Sequence, residues 1–219
     1  MLEIIAMITM LIDHIGYIFF PDEKIFRYIG RVAFPIYVYS LTLGYHYTKS
    51  HKMYVIRLLR LAFVSQIPYT LAFVSTQLNV IFTLLICLLI LWIIDNKKWF
   101  IAFPLTIILI GLSQFCDYGF YGVLLALIYR YSNRFFIAIL HLLLNFGVVF
   151  LLHWAISQLY SIIGSILIVF SNKLKRITVH RTFYRVFYPL HLFVLFLVEV
   201  VVYGDAYFHY LKKTFWFLQ

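Results

Sequence analysis

The sequence predicts an all-α fold, a polytopic transmembrane helical bundle of about nine spanning helices. Three observations lead there. First, 64% of the 219 residues are hydrophobic and only 12% are charged, with a mean hydropathy of +0.96. A soluble domain of this size carries about 25% charge. Second, the apolar runs are continuous. A transmembrane barrel would alternate polar and apolar positions instead. Third, aromatic residues reach 21%, with 23 Phe and 18 Tyr, as suits a chain bathed in lipid and its interfaces. Nine spans of roughly 20 residues nearly exhaust the chain, so residues 1–219 read as a single domain.

The runs follow in order. The first covers about Leu2–Phe20 and stops at Pro21-Asp22. It lacks a basic leader and a small-residue cleavage site, so it is expected to stay as a helix. A charged loop holds Asp22, Glu23, Lys24 and Arg27, and a second helix follows Gly30-Arg31 to about Tyr47. A basic segment, Lys49 to Arg60, leads into a third run interrupted by Pro68 and ending near Val74. After the uncharged turn 75–79, a fourth run reaches Ile94, and a fifth ends at Phe115. Cys116-Asp-Tyr-Gly119 turns the chain into a sixth, ending at Arg130; a seventh ends near His153. An eighth covers about Ala155–Phe170, a basic loop covers Ser171–Arg185, and a ninth spans about Tyr188–Tyr203.

Lys and Arg set orientation. The loops 49–60, 95–98, 130–134 and 171–185 are basic, whereas 75–79, 115–119 and 152–158 contain neither residue. The alternation predicts a cytoplasmic N-terminus for a multi-pass chain in the cell membrane. Loop 21–31 then falls outside despite Lys24, Arg27 and Arg31, which suggests that its arginines serve a site. Lys212 and Lys213 fit a nine-helix count poorly, because that count puts the C-terminus outside. The net charge of +10 is spread between apolar runs, so its expected partner is membrane lipid and not nucleic acid. Cys87 and Cys116 show no metal-ligand spacing and argue for no disulfide.

Ionisable groups inside a span are costly unless solvated, partnered or used. Asp13 and His14 lie three-quarters along the first helix. Adjacent helix positions diverge by about 100°, so the two need not be hydrogen-bonded. His14 can serve as a general base, with its orienting carboxylate from another helix, Asp117 or Glu199. Alternatively it is a packing histidine bonded to a neighbouring helix. Arg31 either holds an anionic group or snorkels to headgroups. Arg57 and Arg60, one turn apart, suit a phosphate-rich ligand or simple inside anchoring. Asp117, beside Tyr118, lies near the depth of His14 or caps the following helix. His191 is read at the inner start of the ninth helix, with Glu199 two turns deeper. Asn79, Gln66 and Asn145 either line a tunnel or bond helix to helix. No Walker loop, zinc spacing or serine elbow is present. The layout fits a transmembrane transferase or a proton-coupled transporter.

The strings AMITMLIDHIGYIFFP, YIGRVAFPIYVYSLTLGYHYT, RLLRLAFVSQIPY, LNVIFTLL, CDYGFYGVLL and FYRVFYPLHL occur in order between residues 6 and 192. In this combination they resemble the TraX family, named for the acetylase of conjugative pilin. The resemblance implies an integral-membrane acyltransferase using acetyl-CoA, or another acyl-CoA, as cosubstrate. The implied acceptor is an amine or hydroxyl of a peptide or glycan at the outer face. The wider transmembrane acyltransferases carry an arginine eleven positions before an essential histidine; Glu3 stands there relative to His14. They also carry an arginine-rich motif before Pro-Tyr, matched here by Arg57, Arg60, Pro68 and Tyr69. The resemblance thus implies catalysis by His14, with Asp13 and Arg31 in support, and CoA phosphates near Arg57 and Arg60. A proton-coupled transporter and a noncatalytic scaffold are the competing classes.

Overall fold

The computed structural model describes residues 1–171, 179–207 and 214. Ten α-helices occur among them: α1 (Leu2–Phe19), α2 (Lys24–Gly30), α3 (Ala33–Tyr47), α4 (His51–Phe73), α5 (Val80–Asn96), α6 (Trp99–Ser113), α7 (Gly119–Tyr131), α8 (Arg134–Phe146), α9 (Ile162–Val169) and α10 (Arg181–Tyr203). A π-turn, Gly147–Leu151, extends α8, and a 3-10 turn, Ile156–Ser161, leads into α9. Apart from the short α2, these make nine packed segments. The described residues contain no β-strand, only an isolated bridge between Leu78 and Cys116.

Four helical stretches are long and apolar enough to cross a membrane: Leu2–Phe19, His51–Phe73, Arg134–Leu151 and Thr182–Tyr203. Val80–Asn96, Trp99–Ser113 and Ile156–Val169 are shorter and also apolar. Large apolar side chains face outward along whole helices, such as Phe63, Val64 and Ile67 on α4 and Phe103, Ile107 and Ile108 on α6. That pattern belongs to a lipid-facing surface, where apolar exposure carries no penalty. The chain is a membrane protein.

Three boundaries differ from those the residue pattern suggests. The charged loop after Pro21 contains α2, which folds back on α1. The basic segment 49–60 is the first part of α4, capped by Ser50, whose Oγ accepts from Met53 N at 3.3 Å. That helix runs through Pro68. α10 begins at Arg181, seven residues before the expected start, and runs through Pro189. In each case polar or proline residues resemble a loop in the sequence, but helix packing retains them. Residues 172–178 of the basic loop, with Lys173, Lys175 and Arg176, lie outside the described residues, as do Lys212 and Lys213.

α3 and α5 form the centre of the bundle, with Ile36, Val38, Leu88, Ile90 and Leu91 fully buried. Asn79 caps α5 through Oδ1 to Ile81 N (3.0 Å), and its Nδ2 donates to Ala62 O (2.8 Å) and Gln66 Oε1 (2.9 Å). Its role is to bind α4 to α5; it lines no cavity described here. A second buried network joins α7, α8 and α9. Tyr121 Oη lies 2.7 Å from His141 Nε2 and donates to Asn145 Oδ1, and His141 Nδ1 lies 2.6 Å from Ser165 Oγ. Satisfied polar groups of this kind fix helix register in an apolar bundle.

Candidate functional site

A cavity of about 660 Å³ runs along α3 between the two ends of the bundle. At one end it is lined by Asp13, Arg27, Arg31, Gln77, Asp117 and Tyr118. At the other it is lined by Gly44, Tyr47, Tyr54, Arg57, Val179 and Arg185. Ala33 and Tyr47 on the wall are 14 residues apart on one helix, which corresponds to roughly 20 Å at the 1.5 Å rise per residue.

His14 lines this cavity. Its Nδ1 lies 2.8 Å from His191 Nε2, and His191 Nδ1 lies 2.7 Å from the carbonyl oxygen of Phe187. The carbonyl can only accept, so His191 Nδ1 carries a proton. In neutral His191 its Nε2 is then an acceptor, and His14 Nδ1–H must donate to it. This leaves His14 Nε2 as a lone pair with no hydrogen-bond partner among the described residues. Phe73 packs edge-on to the ring with centroids 4.9 Å apart, and the His191 ring lies nearly parallel to it, edge to edge, with centroids 5.0 Å apart. The hydrogen-bond partner of His14 is therefore a histidine and not the carboxylate expected from Asp117 or Glu199. His191 sits at mid-helix because α10 starts early, and so it reaches the depth of His14.

Asp13 points elsewhere, as the helix geometry requires. Its Oδ2 accepts from Arg27 Nη1 at 2.6 Å. The contact depends on α2 lying directly against α1. A Cβ on Gly30 would overlap the Asp13 side chain, and one on Gly16 would overlap Phe26. Arg31 makes no ion pair among the described residues. Its Nη1 donates weakly to Tyr118 Oη at 3.4 Å, and its Nε is buried without a partner.

The turn 114–118 is pinned by Leu78 N to Phe115 O (3.0 Å) and Asp117 N to Leu78 O (2.9 Å). Thr83 Oγ1 also donates to the Asp117 carbonyl. Tyr118 adopts φ +63 and stacks on Phe34 at 3.8 Å. Left-handed backbone at a tyrosine is costly and persists only where packing dictates it. Among the described residues the other non-glycine cases are Val74 and His153. Val74 adjoins the cavity residue Ser75, and His153 adjoins Trp154, which lines a smaller chamber.

That chamber, of about 200 Å³, is lined by Arg31, Asp117, Tyr118, Trp154, Ala155 and Gln158. Burial pushes the Asp117 carboxyl up to about 6, partly opposed by attraction to Arg31. Between 3.8 and about 6 the folded chain holds a proton that the unfolded chain has lost. Stability therefore falls as pH rises through that window. Asp117→Asn is expected to raise thermal stability, and by more at about pH 7.5 than at about pH 4. An equal gain at both pH values would contradict the assignment.

The remaining expected site residues divide. Tyr69 lines the cavity near His14, and Arg57 lines its far mouth. Arg60 does not line the cavity; the second cation at the mouth is Arg185, which the sequence placed in a loop. Glu199 is also off the cavity wall, and its buried Oε2 has no partner among the described residues. Glu3, Tyr37 and Tyr184 line the cavity interior. Among the described residues no group of three or more His, Cys, Asp or Glu residues could hold a metal ion, and Cys87 and Cys116 are buried free thiols.

These features define a polytopic membrane protein whose cavity, apolar along much of its wall, links an arginine mouth to a histidine pair. The chain belongs to the TraX family, whose model, described as TraX protein, matches residues 1–199. It is similar to a protein of Dichelobacter nodosus named "Probable fimbrial assembly protein FimC, serogroup H1", with 29% identity over 189 residues, 76% of this chain and 75% of the relative. No solved structure matches it.

Proposed function

We propose that this protein is a membrane acyltransferase that moves an acyl group, in the simplest case acetyl, from acyl-CoA to an amine or hydroxyl acceptor. The single observation that carries the reading is the shape of the cavity. It joins a two-arginine mouth to a histidine whose lone pair is held ready by a second histidine. The phosphates of CoA meet Arg57 and Arg185, and the pantetheine arm extends inward along α3. The acceptor enters at the end lined by Asp13, Arg27, Arg31 and Asp117. His14 Nε2 takes the acceptor proton as the acceptor oxygen or nitrogen attacks the thioester carbonyl. The C–S bond breaks, and CoA leaves as a thiolate that collects a proton from water or from imidazolium. Arg31 polarises the carbonyl or holds the acceptor.

Membership of the TraX family supports this reading, and so does a relative named for fimbrial assembly. The same reading puts the arginine mouth and the N-terminus on the cytoplasmic side, where acyl-CoA is made. A peptide or glycan then receives the group at the opposite face. A cavity reaching both ends would also serve a proton-coupled transporter, which needs no CoA.

Thermal stabilisation by CoA separates the two. Purified protein is expected to melt at a higher temperature with CoA present, since a ligand that binds only the native state stabilises it. Arg57→Ala and Arg185→Ala should each reduce the shift, and Arg60→Ala should leave it intact. Absence of any shift at saturating CoA would favour the transporter.

A further inference from the structure

We propose that the 200 Å³ chamber behind Arg31 and Tyr118 is a subsite for a single neutral sugar ring. Its role as an acceptor subsite rests on the acyltransferase reading; its occupancy does not.

The argument starts from Gln158. It is 1% exposed, and neither Oε1 nor Nε2 makes a hydrogen bond of acceptable geometry among the described residues. The nearby Tyr121 hydroxyl is already committed to His141 and Asn145. Buried amides are seldom left unpaired. The amide lies within reach of the Tyr121 hydroxyl, but neither of its polar atoms has a well-aligned partner among the described residues, so the conclusion does not depend on which way the amide is turned. Arg31 Nε is likewise buried and unpaired. Neither Arg31 nor Asp117 forms an ion pair among the described residues.

The wall thus offers guanidinium donors, carboxylate acceptors, and one donor plus one acceptor from the carboxamide. Its two charges have opposite signs. A charged ligand gains at one and loses at the other. A neutral ligand whose groups both donate and accept satisfies all three, and hydroxyls do this. Vicinal hydroxyls match the two-pronged guanidinium and carboxylate, and the ring of Trp154 supplies an apolar surface for the C–H side of a sugar. A peptide amine could meet Asp117, but its positive charge would also face Arg31. The chamber shares Arg31, Asp117 and Tyr118 with the main cavity, so a ring held there presents its edge to the compartment that contains His14.

The test uses the full chain with Trp92, Trp99 and Trp216 changed to phenylalanine, leaving Trp154 as the reporter. Methyl β-glucoside and methyl N-acetyl-β-glucosaminide are expected to change its emission saturably. Gln158→Leu should weaken both responses by about tenfold or more. That substitution keeps side-chain volume and removes an unpaired buried amide, so thermal stability should be equal or higher. The same comparison, read as thermal stabilisation of the chain with all its tryptophans, needs no reporter. A stronger response to alanyl-alanine amide than to either glycoside overturns the sugar class. A lack of saturable response to the glycosides in both measurements overturns the subsite. No CoA is present, so the outcome is independent of the donor. Glycoside binding without CoA binding keeps the subsite and removes the acyltransferase reading; CoA binding without glycoside binding does the reverse.

Discussion

His14→Ala is expected to lower acyl transfer by about 10²- to 10⁴-fold, the range for loss of a positioned general base. The protein should still fold and still be stabilised by CoA, because Arg57 and Arg185 lie at the opposite end of the cavity. The relay behind His14 makes a further distinction. His191 holds its Nδ1–H on the Phe187 carbonyl and accepts from His14 at 2.8 Å. His191→Ala removes the acceptor that fixes the tautomer of His14, and a loss of about 10- to 100-fold is expected, as for other groups that orient a reactive imidazole. His191→Gln retains an acceptor oxygen and should recover part of that loss. If His14 merely packs against Phe73, all three variants would change melting temperature and leave turnover unmoved. Steady-state rates and melting curves on the same preparations separate the two cases.

Asp13→Ala carries the largest expected effect on stability, about 2–4 kcal/mol. Arg27 Nη1 lies 2.6 Å from Asp13 Oδ2, and the two side chains are 30% and 13% exposed. Removing one partner of a buried pair costs roughly 3–5 kcal/mol, because the other charge is stranded. The partial exposure of Arg27 lowers that figure. Arg27→Met in the Asp13→Ala background removes the stranded charge and is expected to restore most of the loss. Asp13→Asn should be milder, since it keeps an acceptor for the guanidinium. Denaturation in detergent micelles measures the cycle. A double variant no more stable than Asp13→Ala would mean that the ion pair is not what α2 contributes.

The fold class was legible because hydropathy acts along single segments. The site was legible only in part, because it depends on contacts between segments. Asp13 and His14 drew notice as ionisable groups in a span, and helix periodicity correctly turned them apart. Their partners could not be read. Asp13 meets Arg27, which belongs to a seven-residue helix too short and too charged to show an apolar period. His14 meets His191, whose depth the sequence hides because Pro189 and the arginines before it resemble a loop. The pairing of Arg57 with Arg60 followed helix spacing. The cavity instead selects Arg57 together with Arg185, from a helix distant in sequence. The surplus of arginine between Pro21 and Arg31 was the best clue available, since charge that breaks the orientation rule needs another reason to be there. Gln158 gave no clue at all: a lone glutamine becomes notable only when burial leaves both of its polar atoms unpaired.

The most direct test is acetyl transfer itself. Sealed vesicles carrying the protein are supplied with acetyl-CoA labelled in the acetyl group on the side of Arg57 and Arg185, and label is counted in acceptor material on the opposite side. The proposed function predicts label above background with the unaltered chain and about a hundredfold less, or lower still, with His14→Ala. Equal labelling by both proteins, or label that crosses only as intact acetyl-CoA, would contradict it.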